Sequence, residues 1–365
     1  MKQISQLQVY TMFTQFLFST AIGFVIAPLV QTAGFMAWTC LILGFAISLP
    51  FTYLACRLAQ SRPGEFLGEY GKDIIGKWPH YILFSGAIFI HLYIAASILR
   101  QLTDFILQIY LPGTPMWAVA SLFGICVARS VRTGPVNFFR SAQGLFLFSV
   151  ISVFAFPLFA IGEVDEAKLI ALMTDLRPHG IWEGAFLTAA LYAEMAFVIY
   201  LYPHFEKKAM TFRTLVWSGI TAILVTILNM TASLLLFGSE LTAELTYPTL
   251  EMIRYIRAGS FLENLDPLLI VFWLFSMLLK IGLFLLIGTT MTAHLFGLKD
   301  HKPFSLSMAA AMTALSIVMF DTMADIEDAA LHSESTMLLL KASMPALYLL
   351  VDWLRSRNQS RGENR

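Results

Sequence analysis

The chain has 365 residues, 58% of them apolar and only 13% charged, with a mean hydropathy of +0.71. A soluble globule of this length has no use for so much apolar surface, whereas a helix bundle facing lipid does. Basic and acidic residues number 24 each, and the resulting net charge of zero argues against nucleic acid as a partner.

Apolar windows of roughly 20 residues predict ten spans, near 8–30, 35–57, 80–108, 115–130, 139–161, 182–202, 213–238, 265–296, 304–321 and 335–354. The first apolar stretch lacks a small-residue cleavage site and reads as a spanning helix, not a signal peptide. Within it, Phe18 to Pro28 reads FSTAIGFVIAP. Gly23 followed by Pro28 can break a helix and free backbone amides and carbonyls for a small polar ligand. The plainer alternative is close helix packing at the glycine and a kink at the proline.

The inner loop 58–79 has helical apolar spacing and is expected to lie along the membrane surface. The third span carries His91, expected to be a hydrogen-bonded packing residue, and Arg100 with Asp104, whose i,i+4 spacing predicts a local ion pair. Cys40, Cys56 and Cys126 sit in or beside apolar segments, with neither a disulfide framework nor metal-ligand spacing, and are read as small buried hydrophobes. An acidic linker, 162–180, divides a single membrane domain (1–365) into halves of about 8–161 and 181–354, followed by a tail at 355–365.

In the sixth span Glu194 must be neutralised by protonation, hydrogen bonding or a cation. The segment 239–264 contains a short helix after Pro248. Asn229 and Lys341 are explained by polar contacts between helices. The eighth span holds Lys280 amid leucine, isoleucine and phenylalanine. A mid-membrane lysine costs roughly 3 kcal/mol, while each apolar neighbour returns about 0.3–0.6 kcal/mol. The helix can insert if the ammonium faces protein, a polar cavity or a counter-charge. Two readings follow: a lysine that ties helices together, or part of a ligand or ion site shared with Glu194.

Orientation follows from the basic residues. With the N-terminus inside, the inner face collects Lys2, Arg57, Arg62, Lys72, Lys77, Arg129, Arg132, Arg140, Lys207, Lys208, Arg213, Lys299, Lys302 and the basic tail. The outer face holds only Lys168, Arg177, Arg254 and Arg257, among acidic loops that include Glu163, Asp165, Glu251, Glu263, Asp325, Glu327, Asp328 and Glu334. Both termini are therefore expected in the cytoplasm. No phosphate-loop, dinucleotide, metalloprotease or nucleophile-elbow pattern is present, so neither an enzyme nor a cofactor or metal is expected.

Tyr247 to Lys280, YPTLEMIRYIRAGSFLENLDPLLIVFWLFSMLLK, combines a Tyr-Pro-Thr helix, a Phe-Leu-Glu motif, Asp266, Trp273 and the intramembrane lysine. Further features are Gln8, Pro28, EFLGEYGKDIIGKW (65–78), Leu111-Pro112-Gly113-Thr114-Pro115, and the basic stretch from Pro203 to Arg213. In their order and spacing these resemble the B subunit of spore-germination nutrient receptors, the GerAB-like family, over nearly the whole chain. The resemblance implies a ten-helix fold of the amino acid–polyamine–organocation superfamily with a LeuT-like 5+5 inverted repeat. It further implies a germinant sensor of the spore inner membrane that works with an A subunit and a lipoprotein C subunit. By the same likeness a small nutrient would lie between Ala21 and Gly23 of the first span, Ile90 and Ile94 of the third, Glu194 of the sixth, and Lys280 and Phe284 of the eighth. The family often has a glycine and a glutamate about six residues before the span-six proline. Here Glu194 is nine before Pro203, residues 185–202 contain neither glycine nor proline, and Ala21 stands where relatives carry glycine. The functions compared are germinant sensing, a proton- or sodium-coupled amino-acid permease, and an ion conduit.

Overall fold

Ser5 starts the first helix: its hydroxyl accepts the Gln8 amide (3.3 Å), and the Gln8 side chain accepts the Ser5 amide (3.0 Å), a reciprocal cap on otherwise orphaned donors. The computed structural model describes residues 3–160, 162, 164–255, 266–298 and 300–362. The Phe-Leu-Glu motif at 261–263, and Lys2, Glu163, Arg257 and Lys299 of the charge pattern, lie outside the described residues.

Helix α1 (Gln6–Thr20) passes through a π-helical stretch, Ala21–Val25, into α2 (Ile26–Ala33). Gly34, at φ 58°, takes a left-handed conformation that other residues resist, and the chain turns there into α3 (Ala37–Ser61). The amphipathic α4 (Leu67–Ile75) follows, then α5 (Lys77–Ile109), α6 (Met116–Arg132), α7 (Pro135–Ala160) and the short α8 (Ala171–Thr174). Helix α9 (Pro178–Ala193) starts on Pro178 and tightens at Glu194 into a 3-10 segment, Glu194–Tyr200. Next come α10 (Thr211–Glu244), bent where Gly238 leaves helical geometry, α11 (Pro248–Tyr255), α12 (Asp266–Leu295), α13 (Lys302–Val318) and α14 (Met323–Ala329). A second π-helical turn, Ala330–Glu334, leads into α15 (Ser335–Gly362).

Seven helical stretches among the described residues are long and apolar enough to cross a membrane. The first, Gln6–Ser61, has 56 residues and is interrupted at Gly34. As one straight helix it would measure roughly 84 Å, against a hydrocarbon core of about 30 Å. The helices α6 and α13, at 17 residues each, are shorter. Large apolar side chains are exposed along the bundle, among them Ile47, Phe89, Ile125, Ile151, Leu224 and Leu347, as a lipid-facing surface requires.

Inside the bundle α3 lies along α9, α12 along α5, α1 along α10 and α13 along α6. Helix α4 buries Leu67, Tyr70 and Ile74 and packs on α5 and α15, so its apolar face meets protein. Asn229 donates to the Val153 carbonyl at 3.2 Å, a polar contact between α10 and α7. Cys40 and Cys56 are buried, as expected, but Cys126 is exposed on α6.

Candidate functional site

Three irregular helical segments meet in the interior, and the first two have identifiable supports. In α1 the carbonyl of Ser19 accepts the Trp273 indole N–H at 2.8 Å, and within the π-helical stretch the Ile22 carbonyl accepts the Thr249 hydroxyl at 3.4 Å. A π turn leaves backbone groups out of the regular ladder, and partners from α11 and α12 take them up here. Gly23 is required for this approach, since a Cβ at that position would lie 2.5 Å from the Trp273 ring. Tyr247, Thr249 and Trp273, which carry much of the family resemblance, thus brace the distortion of the first helix. The stretch is distorted helix; residues 21–25 do not unwind into a loop.

The second irregular segment begins at Glu194, which is 2% exposed. Its Oε2 accepts a hydrogen bond from Lys280 Nζ at 2.7 Å, and the ammonium also lies over the Phe16 ring, 4.6 Å from its centre. Lys280 and Glu194 thus neutralise each other, and α12 is tied to the 3-10 segment after α9. An ion pair this deep repays its desolvation only with such close geometry. Beneath it Phe284 packs between Phe16 (5.6 Å), Phe197 (5.3 Å) and His91 (5.8 Å), an aromatic floor.

Beside the pair lies a cavity of about 90 Å³ accessible to water centres, enough for several waters at roughly 15 Å³ each. Ile94, Glu194 and Lys280 line it, with Thr20, Phe24, Ile98, Gln101, Leu187, Leu191 and Leu338. The exposed Thr246 and Glu327 mark its mouth. Of the residues expected around a nutrient, the other four stand elsewhere. Ala21 is fully buried, Gly23 faces Trp273 in a smaller apolar cavity, Ile90 packs half-buried on the core, and Phe284 lies in the aromatic floor.

Sequence reasoning missed the third irregular segment. Charge counting puts Glu334 among solvated outer acids, but it ends the π turn Ala330–Glu334, is 7% exposed and lines the cavity. Lys341, two turns further on, is buried. Its Nζ lies 3.1 Å from His91 Nε2 and 3.3 Å from the centre of the Phe197 ring. His91 donates from Nδ1 to the Ala87 carbonyl at 2.8 Å, which leaves Nε2 to accept from the lysine. The helical spacing of Leu331, Glu334, Leu338 and Lys341 was the available signal, since it puts both charges on one inward face. Arg100 and Asp104 do pair, at 2.8 Å, and Arg100 also donates to the Ser316 and Ile317 carbonyls at the end of α13. That pair closes a helix terminus.

A multi-pass helical bundle with irregular helices around an inner cavity and a buried ion pair has the build of a membrane transporter, and solved transporters share the fold. The crystal structure of MhsT in complex with L-phenylalanine superposes with a TM-score of 0.74 at 15% identity, covering 95% of this chain and 90% of that one. Mhp1, a nucleobase-cation-symport-1 family transporter, gives 0.64 at 15% identity over 94% of this chain and 75% of its own. The protein is therefore an integral membrane protein of LeuT-type fold. It belongs to the spore germination protein family, whose model matches residues 3–326. Spore germination protein KB of Bacillus subtilis (strain 168) is 24% identical over 79% of this chain and 78% of its own. Spore germination protein XB of Bacillus anthracis is 25% identical over 71% of this chain and 72% of its own. The family and its structural neighbours are germination proteins and transporters, not enzymes.

Proposed function

We propose that the protein is the transporter-like, nutrient-sensing subunit of a spore germination receptor. A small nutrient, an amino acid foremost, binds in the cavity beside Glu194 and Lys280. Its preference for one arrangement of the irregular helices is passed to A and C partner subunits in the spore inner membrane. The observation that carries this reading is the ion pair at the cavity wall: two charges from α12 and the start of a 3-10 segment, where a ligand can compete for either partner. Ile94, Glu194 and Lys280 contact the nutrient in this reading. Ala21, Gly23, Ile90 and Phe284 shape the helices around it. In this reading the chain crosses ten times, Gln6–Ser61 being taken as two spans and α6 and α13 included, in two halves about the linker 162–180. An even number puts both termini on one side, and the basic loops support the cytoplasmic side.

The test is germination of spores that carry the complete receptor. Lys280→Ala is expected to abolish or retune the nutrient response with the receptor still assembled in the membrane. An unchanged response and nutrient preference would sink the site assignment. The fold shared with transporters supports a second reading, a proton- or sodium-coupled amino-acid permease. Stoichiometric uptake of radiolabelled amino acid into vesicles by the isolated chain would favour it over sensing.

A further inference from the structure

The cavity wall carries more negative than positive charge. Lys280 gives its ammonium to Glu194 at 2.7 Å and rests on Phe16, so those two charges balance each other. Lys341 does not line the cavity and is engaged by His91 and Phe197. Glu334 is the remaining buried acid of this wall, and the Ser97 hydroxyl is the one side chain that hydrogen-bonds its carboxylate among the described residues. Glu334 is more than nine-tenths buried, it lines the cavity, and its Oε1 has no hydrogen-bond partner. The hydroxyl of Thr20, also on the wall, is likewise unpartnered. A carboxylate oxygen withdrawn from water without a partner is costly, and the cost is recovered only by a donor or a cation that enters the cavity.

The rest of the wall says which cation. Ile94, Leu187, Leu191 and Leu338 make most of it aliphatic. A hard metal ion wants six or more oxygen ligands. Of the oxygens on this wall, Glu194 is taken by Lys280, the Ser335 hydroxyl is bonded to the Ala330 carbonyl, and Thr246 and Glu327 sit exposed at the mouth. That leaves Glu334, Thr20 and Gln101 inside. An alkylammonium has three donors and an apolar body, which suits a carboxylate and a hydroxyl set in an aliphatic wall. A sugar could bond Thr20 and Gln101 but would leave the carboxylate's charge unmatched and set many of its own hydroxyls against leucine and isoleucine.

We infer that Glu334 receives the protonated amine of the ligand, which makes it the specificity-determining residue of the cavity and narrows the ligand to small primary amines with an aliphatic body. This rests on the cavity being the nutrient site. The π turn has a part in it: by ending on Glu334 it turns inward a side chain that charge patterning would leave in solvent. The Glu194–Lys280 pair then remains available for a second charged group on the same ligand.

The experiment uses the full chain purified in detergent and follows its thermal unfolding. The probes are L-alanine, L-valine and L-leucine, each paired with the 2-hydroxy acid in which the amine is replaced by hydroxyl, together with glucose, inosine, sodium chloride and potassium chloride. At least one amino acid is expected to raise Tm while its hydroxy acid does not. Glu334→Gln, nearly isosteric, is expected to weaken that amino acid's apparent affinity about thirtyfold or more. Equal stabilisation by the hydroxy acid overturns the inference, and so does undiminished binding to Glu334→Gln. The comparison of paired compounds on the unmutated protein decides the matter even if the variant fails to fold. Stabilisation by sodium or potassium alone, lost in Glu334→Gln, replaces the amine with a metal ion. Stabilisation by glucose or inosine alone, abolished by Lys280→Ala, overturns the amine but keeps the cavity as a nutrient site. No shift with any probe counts against both.

Discussion

Lys280 Nζ and Glu194 Oε2 lie 2.7 Å apart with both side chains at most 2% exposed, and they join α12 to the point where α9 tightens into a 3-10 segment. Removing one partner leaves the other charge buried without compensation, which costs about 3–5 kcal/mol. Lys280→Met and Glu194→Gln are therefore each expected to lower Tm substantially. The double variant is expected to recover most of the loss, because it removes both charges together. A double variant as unstable as the sum of the two singles would mean that the pair does not act as a unit.

Lys341 gives the opposite expectation. Among the described residues it pairs with no carboxylate; its partners are the neutral His91 and two aromatic rings. Replacing a buried amine that has no carboxylate partner by an apolar side chain of similar length relieves desolvation. Lys341→Met is expected to leave Tm unchanged or raise it, in contrast to Lys280→Met. A loss of several degrees in the same thermal assay would show that the His91 contact stabilises the bundle.

The support of the first helix is open to test by size. Gly23→Val drives a branched side chain into the Trp273 ring, which already lies 2.5 Å from a Cβ at that position, and overpacking of this kind costs about 1–3 kcal/mol. Trp273→Phe deletes the donor to the Ser19 carbonyl and leaves a buried acceptor unpaired, a loss of about the same size. Both are expected to lower Tm and to disturb the nutrient response. Full stability of Trp273→Phe would remove the indole from the account of the π-helical stretch.

Two charged pairs in the membrane are expected to differ in function. Glu194→Gln should alter the germination response more than Asp104→Asn, because Glu194 lines the cavity while the Arg100–Asp104 pair closes the end of α13. Equal and negligible effects in matched spores would assign both carboxylates to structure.

Acid is expected to loosen the N-terminal anchor. The Ile4 amide donates to the His204 carbonyl at 2.9 Å, and the Glu206 amide donates to the Ile4 carbonyl at 3.0 Å. Burial holds the His204 imidazole below its usual pKa of 6.5, and the nearby His301 and Lys208 add to the effect. The docked state thus keeps His204 neutral, and the undocked state binds the proton more readily. The anchor is fully stable above the undocked pKa of about 6.5 and weakens as pH falls below it. Amide exchange at Ile4 and Glu206, corrected for intrinsic rates, should quicken between pH 7.5 and pH 5.5. His204→Phe should abolish that change.

Much of the frame is legible in the letters because lipid imposes one-dimensional rules. Each span must be apolar over a bilayer's thickness, so composition alone marks it. Pro178 and Pro248 start helices where their fixed φ suits a first turn, and Gly238 bends α10 where the apolar span ends. The segment after Glu194 was not legible. Residues 185–202 contain no glycine or proline, yet the helix tightens there, with all seven residues of Glu194–Tyr200 buried. Packing on every side, together with the pull of Lys280 on Glu194, overrides local preference. Glu334 was misplaced for a related reason, since counting charges cannot tell a solvated loop from a π turn that points its last residue inward.

The sequence by itself determined that the chain is a membrane bundle, which family it resembles, and that Lys280 and Glu194 need partners, because transferring charge or apolar surface between water and lipid costs the same wherever a neighbour sits. Only the tertiary structure decided that these two satisfy each other and that Trp273 and Thr249 hold the distorted first helix. It alone left Glu334 facing the cavity with a free oxygen. Those outcomes depend on distances of a few ångströms between helices remote in sequence, and no local preference along the chain encodes them.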